Sequence, residues 1–180
     1  LVYRAAREHG VKVVMGGEGG DEVFMGYRKF EYFHVRQLVQ QGAHARALAF
    51  VLRALPELFA ELPRAALYWK AGRRYSGAGG IATRLRLAEP GELTMRADLG
   101  RPLWVRQLHD ILHTSLPTLL RYEDRSSMAH GVESRLPYLD HELVEFALAL
   151  GVEYKLRDGL RKWILRDYAR DRLPQVIRLA

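Results

Sequence analysis

The 180 residues contain no cysteine, which excludes a disulfide scaffold, a thiolate zinc site and a thiol nucleophile within this chain. Long apolar runs are missing too. None approaches the roughly 20 residues of a membrane-spanning helix, so an integral membrane protein is not expected. Lysine is scarce: Lys12, Lys29, Lys70, Lys155 and Lys162 are five of 28 basic residues, and the rest are arginines. A secretion signal is not apparent either. The sequence opens on Leu1, and residues 1–25 lack the basic-then-apolar order of an export peptide. The expectation is a cytoplasmic fragment of something longer.

What is there is a globular balance, 48% hydrophobic and 27% charged, in a length that suits one ordinary domain or two small ones. The net charge of +7 would suit an anionic partner, since arginine grips phosphate through a planar fork. The basic residues are scattered rather than striped, which disfavours a nucleic-acid footprint. Seven histidines without ligand spacing argue against zinc.

Residues 1–9 have helical spacing with Gly10 as a stop, and Val11, Val13, Val14 and Met15 then read as one mostly buried strand. Helix, glycine, strand, glycine-rich loop is the grammar of a parallel α/β unit. Residues 21–54 and about 56–70 look helical, and glycines and prolines punctuate 71–95 as a loop insertion. Helices are expected again from about 97 to 120, after Asp140 up to Gly151, and from near Leu160 to before Pro174. The chain is thus mostly α-helical with one clear β-strand near 11–15. A lone strand leaves backbone groups unpaired, so its neighbours are expected from sequence outside this chain or from a partner.

Three segments carry chemistry. In the first, Gly16, Gly17, Gly19 and Gly20 follow the carboxyl end of the strand and open a helix, where ligands bind in open parallel sheets. Glu18, Asp21 and Glu22 add carboxylates that a bare phosphate site would not carry, which fits phosphate with Mg²⁺. A glycine turn whose Asp21 and Glu22 complement a helix dipole fits the spacing equally well. The second segment, Leu119 to Asp140, alternates charges and hydroxyls beside apolar residues, as a partly buried polar network would. There Asp124 could be an N-cap, and His130 reads as a helix-end histidine sooner than a catalyst. In the third, Tyr154 to Arg166, Lys162 falls in the first turn of a helix, where a cation is disfavoured unless an anion is near. A solvated lysine is the plainer alternative.

Together the segments resemble the synthetase domain of the glutamine-hydrolysing asparagine synthases, a branch of the ATP-pyrophosphatase superfamily. That family's loop reads Ser-Gly-Glu-Gly-Ala-Asp-Glu-Leu-Phe-Gly-Gly-Tyr, and Gly16 through Tyr27 depart from it only at Gly16, Gly20, Val23 and Met25. Its later signature, Asp-Arg-Met-Ser-Met-Ala-His-(Ser or Gly)-Leu-Glu-Val-Arg-Val-Pro-Phe-Leu-Asp-His, runs without a gap along Asp124 to His141. Lys162-Trp163-Ile164-Leu165-Arg166 then falls at the right distance.

The resemblance implies a Rossmann-like parallel sheet of the adenine nucleotide α-hydrolase type in the parent fold. It implies ATP-dependent activation of a carboxylate, aspartate's first of all, for attack by ammonia derived from glutamine, with AMP and pyrophosphate released. By position, Glu18 would act as ammonia attacks and Lys162 would hold phosphate oxygens. Asp21 would ligate Mg²⁺, Gly16 and Gly17 would offer backbone to the nucleotide, and Asp124 and Arg125 would shape the substrate side. The family's pyrophosphate loop, its glutaminase half and much of its tail are not in these 180 residues, so the chain reads as residues 1–180 of a C-terminal portion, inactive by itself. The expected partners are therefore the small substrates, the N-terminal part of the same protein and, in a homodimer, a second copy. A related ligase acting on a β-lactam precursor, a peptide or a sugar acid, or a non-catalytic binding descendant, are the alternatives.

Overall fold

The computed structural model describes residues 2–56, 59 and 102–178. Helix α1 (Val2–Glu8) stops where Gly10 turns left-handed at φ +74°, and strand β1 (Val13–Met15) follows. A one-turn helix α2 (Gly20–Val23) leads into α3 (Arg28–Gln40) and then α4, helical over 44–56. Next come α5 (Leu103–Leu112), α6 (Ser115–Met128), β2 (Glu133–Arg135), a 3₁₀ turn at Pro137–Leu139 and α7 (His141–Ala149). A second 3₁₀ turn at Val152–Tyr154 precedes a small hairpin of β3 (Leu156–Arg157) and β4 (Leu160–Arg161), then α8 (Trp163–Tyr168) and α9 (Gln175–Arg178). The expected loop insertion at 71–95 lies outside the described residues.

The mostly helical reading with a strand near 11–15 holds, and two details differ. First, β1 has its neighbour inside the chain: it pairs in parallel with β2, Val13 opposite Glu133 and Met15 opposite Arg135. Glu133-Ser134-Arg135 carries no apolar alternation, so its sequence alone does not announce a strand. Second, β1 is not mostly buried. Val13 is 39% and Met15 72% exposed, so among the described residues little covers that face, whereas parallel strands are ordinarily covered on both.

The third segment also differs, because the last major helix begins at Trp163 rather than near Leu160. Asp158 (φ +55°) and Gly159 (φ +78°) are both left-handed, which makes the two-residue connection of a hairpin with the right-handed strand twist. Asp140, by contrast, caps α7 as its sequence implies, accepting from the Leu143 amide at 3.1 Å.

Apolar packing converges on the segment just after the glycine loop. Val23 and Phe24 enter a cluster with Ala147, against Tyr138, Leu143 and Ile164. Met25 turns the other way, into Phe30, Phe33, Phe50, Leu103 and Leu156. Three consecutive residues, Val23 to Met25, therefore anchor the segment from both sides. The turn at Met25 is left-handed (φ +56°) where the family uses glycine, a cost of about 1–2 kcal/mol for a side chain. Its burial, with 2% exposed, offsets that: deleting a buried Met side chain typically costs about 2–5 kcal/mol. The packing term wins, which explains how a methionine persists there.

Candidate functional site

The parallel ladder extends one residue into the glycine loop, where the Gly16 amide donates to the Arg135 carbonyl at 2.8 Å. Of the four loop glycines only Gly19 is left-handed (φ +88°), and a Cβ there would lie 2.2 Å from Leu139 Cδ2. Gly17 faces open space, so its backbone is accessible. The loop then delivers Asp21 and Glu22 on the single turn of α2.

Those two neighbours have different fates. Glu22 is fully buried, and its Oε1 accepts from Tyr27 Oη at 2.9 Å and Ser115 Oγ at 2.6 Å. It ties α2 to the starts of α3 and α6. Burial and the neighbouring Glu22 carboxylate push the Tyr27 phenol well up, since its ionised form would face that charge.

Asp21 stays half-exposed and pairs with Lys162, Oδ1 to Nζ, at 2.7 Å. Two motifs remote in sequence thus meet in one ion pair. Lys162 occupies the N-cap of α8 in a left-handed conformation (φ +52°), not the first turn, and Asp21 supplies the anion that its position calls for. Gly26 sits between the partners: a Cβ there would lie 1.7 Å from Asp21 Oδ1 and 2.2 Å from Lys162 Cε. Its amide donates to the Asp21 carbonyl at 2.7 Å, and its carbonyl accepts from Arg161 at 3.3 Å. Arg161 in turn pairs with Glu31 of α3 at 3.1 Å. Among the described residues three non-glycine residues are left-handed; Lys162 belongs to this pair and Met25 adjoins Gly26, and strain of this kind often gathers at working sites.

Glu18 lies at the strand mouth with its pKa raised, first by burial and then by the charges of Glu123, Glu22 and Asp21. Glu123 accepts from Ser134 Oγ at 2.9 Å and from Tyr3 Oη, so a second carboxylate is fixed nearby. Gly16 is explained in the same place: a Cβ there would come 2.9 Å from Leu136 Cδ2 and 3.3 Å from Glu123 Oε1. The family's serine would crowd this side chain, and Ser134 on the neighbouring strand supplies a hydroxyl close by.

Asp124 and Arg125 are not brought together. Neither caps a helix; both are exposed on α6, successive residues facing different ways. Asp124 lines a cleft of about 600 Å³ with Lys12, Glu123, Ser134 and Leu136, while Arg125 lines another with Tyr3 and His130. A third cleft, about 590 Å³, joins Lys162 to Arg166 and Arg172 beside Tyr138 and Tyr168. Among the described residues no three acidic or imidazole groups converge into a metal cage. That donor set still fits Mg²⁺, which is commonly held by one or two carboxylates with the remaining ligands from phosphate and water.

Gly26, Glu123 and Ser134 carry structure here that the sequence did not single out, and Glu22, read there as one of three loop carboxylates, is instead a buried tie. For Gly26 and Glu22 the signal was present, because both lie inside the matched loop. Glu123 and Ser134 gave none beyond the polar alternation of their segment.

A model of the family described as asparagine synthase matches residues 1–179. The chain belongs to the asparagine synthase family. A Mycobacterium tuberculosis protein named "Putative asparagine synthetase (glutamine-hydrolyzing)" is 30% identical over 188 residues, covering 92% of this chain and 28% of that protein. A Methanocaldococcus jannaschii protein of like name is 26% identical over 153 residues, 85% of this chain and 17% of that protein. The asparagine synthetase of Rattus norvegicus is 41% identical over 49 residues, 27% of this chain and 9% of its own length. The chain thus spans little more than a quarter of the first of these relatives. No solved structure matches it significantly. No helix among the described residues is long and apolar enough to cross a membrane.

Proposed function

We propose that these residues form the C-terminal portion of the synthetase domain of an ATP-dependent, amide-forming ligase. The reaction is adenylation of a carboxylate, the aspartate side chain first among candidates, followed by attack of glutamine-derived ammonia and release of AMP and pyrophosphate. The observation that carries this is the Asp21–Lys162 pair at the mouth of a parallel strand. A carboxylate and an ammonium held 2.7 Å apart, both partly open, are a stored counter-ion pair that a metal–phosphate group can exchange with.

Each residue then has a task. Lys162 would turn its ammonium from Asp21 to phosphate oxygens, beside the further positive charges of Arg166 and Arg172. Asp21, released, would hold Mg²⁺, which supplies neutralisation of charge on the departing pyrophosphate when bound. The open backbone at Gly17, and less directly Gly16, would face the nucleotide. Glu18 would take a proton from the attacking amine, a task that its raised basicity favours. Asp124, from the neighbouring cleft, would orient the substrate; Arg125 faces elsewhere and would act only at its margin.

A second reading within the class rests on Gly16, where Leu136 takes the space into which the family's serine would put its side chain. That change would favour a carboxylate other than aspartate. Product analysis of the full-length protein with aspartate, glutamine, Mg²⁺ and ATP separates the two. Asparagine with equimolar AMP is the expected product. AMP formed without asparagine would move the substrate to another acid, and no AMP with any carboxylate would end the ligase proposal. In the same scheme the 180 residues alone would be inactive, since the family's pyrophosphate loop is not among them.

A further inference from the structure

Lys155 is the most deeply buried cation among the described residues, with 1% of its surface exposed. Its Nζ donates to Gln107 Oε1 at 3.0 Å. Gln107 is fully buried as well, and its Nε2 donates to the carbonyls of Glu22 at 3.1 Å and Val23 at 2.6 Å. Those are the two residues after Asp21. The Lys155 carbonyl meanwhile accepts from the Trp163 amide at 3.0 Å, the residue after Lys162. One residue is therefore tied, through its side chain, to the turn carrying Asp21 and, through its backbone, to the N-cap carrying Lys162.

We propose that Lys155 and Gln107 are positioning residues, a buried strut that sets the distance between Asp21 and Lys162. This rests on the reading of that pair as the phosphate and metal grip. A buried ammonium with a neutral amide for its hydrogen-bond partner is an expensive way to fill space. Burial pushes it down to about 8, the consequence of that unfavourable setting. Methionine would occupy a similar volume without the cost. The directional bond to Gln107 is what methionine cannot supply: without it the amide can rotate, and the carbonyls of Glu22 and Val23 lose their aimed donor. The Val23 and Phe24 amides bond only within their own turn, to the Gly19 and Gly20 carbonyls, and their side chains make apolar contacts, which resist separation more than they fix angle.

The test uses the full-length protein with Lys155→Met and Gln107→Glu, read by hydrogen exchange without ligand and by Mg-ATP kinetics. A buried lysine kept only as filler predicts that Lys155→Met is neutral or stabilising and leaves both readouts unchanged. The strut predicts an unchanged or higher Tm, with amide exchange in 20–27 and 162–164 about tenfold faster or more. It also predicts kcat/KM for ATP lower by about tenfold to a hundredfold, through kcat more than KM. Gln107→Glu keeps a partner for the ammonium but presents no donor to the carbonyls, so the same local loosening is expected from it. If Lys155→Met does not fold, Gln107→Glu decides. Wild-type exchange in both segments would overturn the strut. A wild-type protein that handles no ATP would instead overturn the functional reading, and the exchange result would still stand or fall by itself.

Discussion

Replacing Gly26 with alanine is expected to abolish nucleotide-dependent turnover, by about a hundredfold or more, while leaving Tm within a few degrees of wild type. The added methyl group would fall inside Asp21 Oδ1 and Lys162 Cε. Both contacts are the far ends of flexible side chains, so the fold can yield by swinging them apart. Gly26 is not left-handed, and alanine there gains about 0.4–1 kcal/mol from a less flexible unfolded chain. The stability terms nearly cancel; the geometry term does not. Pyrophosphate exchange and a melting curve on the same sample check both halves. Loss of both would make Gly26 a structural glycine, and retention of exchange would mean that the ion pair is dispensable.

The second large effect is expected at Glu18. Glu18→Gln should cut amide formation by about a hundredfold to ten-thousandfold, the usual range for a general base, and spare adenylation. Quenched-flow assays that count AMP-activated intermediate and amide separately would resolve the steps; equal losses in both would remove Glu18 from the proton transfer. Its stability effect has the opposite sign. Burial and three nearby carboxylates raise the Glu18 pKa, so the folded state binds this proton more tightly than the unfolded chain does. The stability it contributes is complete below the ordinary carboxylate pKa and is lost as pH rises through the raised value. Glutamine carries no such loss, so Tm at neutral pH should equal or exceed wild type. As pH is lowered, amide formation by the wild-type protein should begin to fall while still above the ordinary glutamate range, because Glu18 takes up its proton there and can no longer act as a base.

How much of this could be read beforehand depends on what each residue type advertises. The glycine loop with its carboxylates is a dense local signal: Gly16 to Tyr27 marked the position, while the spacing alone fitted a phosphate–metal site and a dipole-capped turn equally. Lys162 was legible as a cation that needs an anion, though its anion was not. Strand β2 was hidden because three polar residues pair through backbone, which leaves no side-chain pattern. The hairpin at Asp158-Gly159 had its turn signature in plain view, but the helical run after it drew the boundary about three residues too early. Lys155 and Gln107 were illegible for another reason. A buried polar residue and an exposed one look alike in sequence, and only the tertiary placement of α2 against α5 separates them.

The most direct measurement is ATP–pyrophosphate exchange by the full-length protein over a magnesium titration, wild type beside Asp21→Asn. Exchange that rises with magnesium in the wild type, and that needs far more of the cation or vanishes in the variant, is the predicted result. Equal exchange at every magnesium concentration, or none in the wild type with any carboxylate offered, would contradict a grip on metal and phosphate by Asp21 and Lys162.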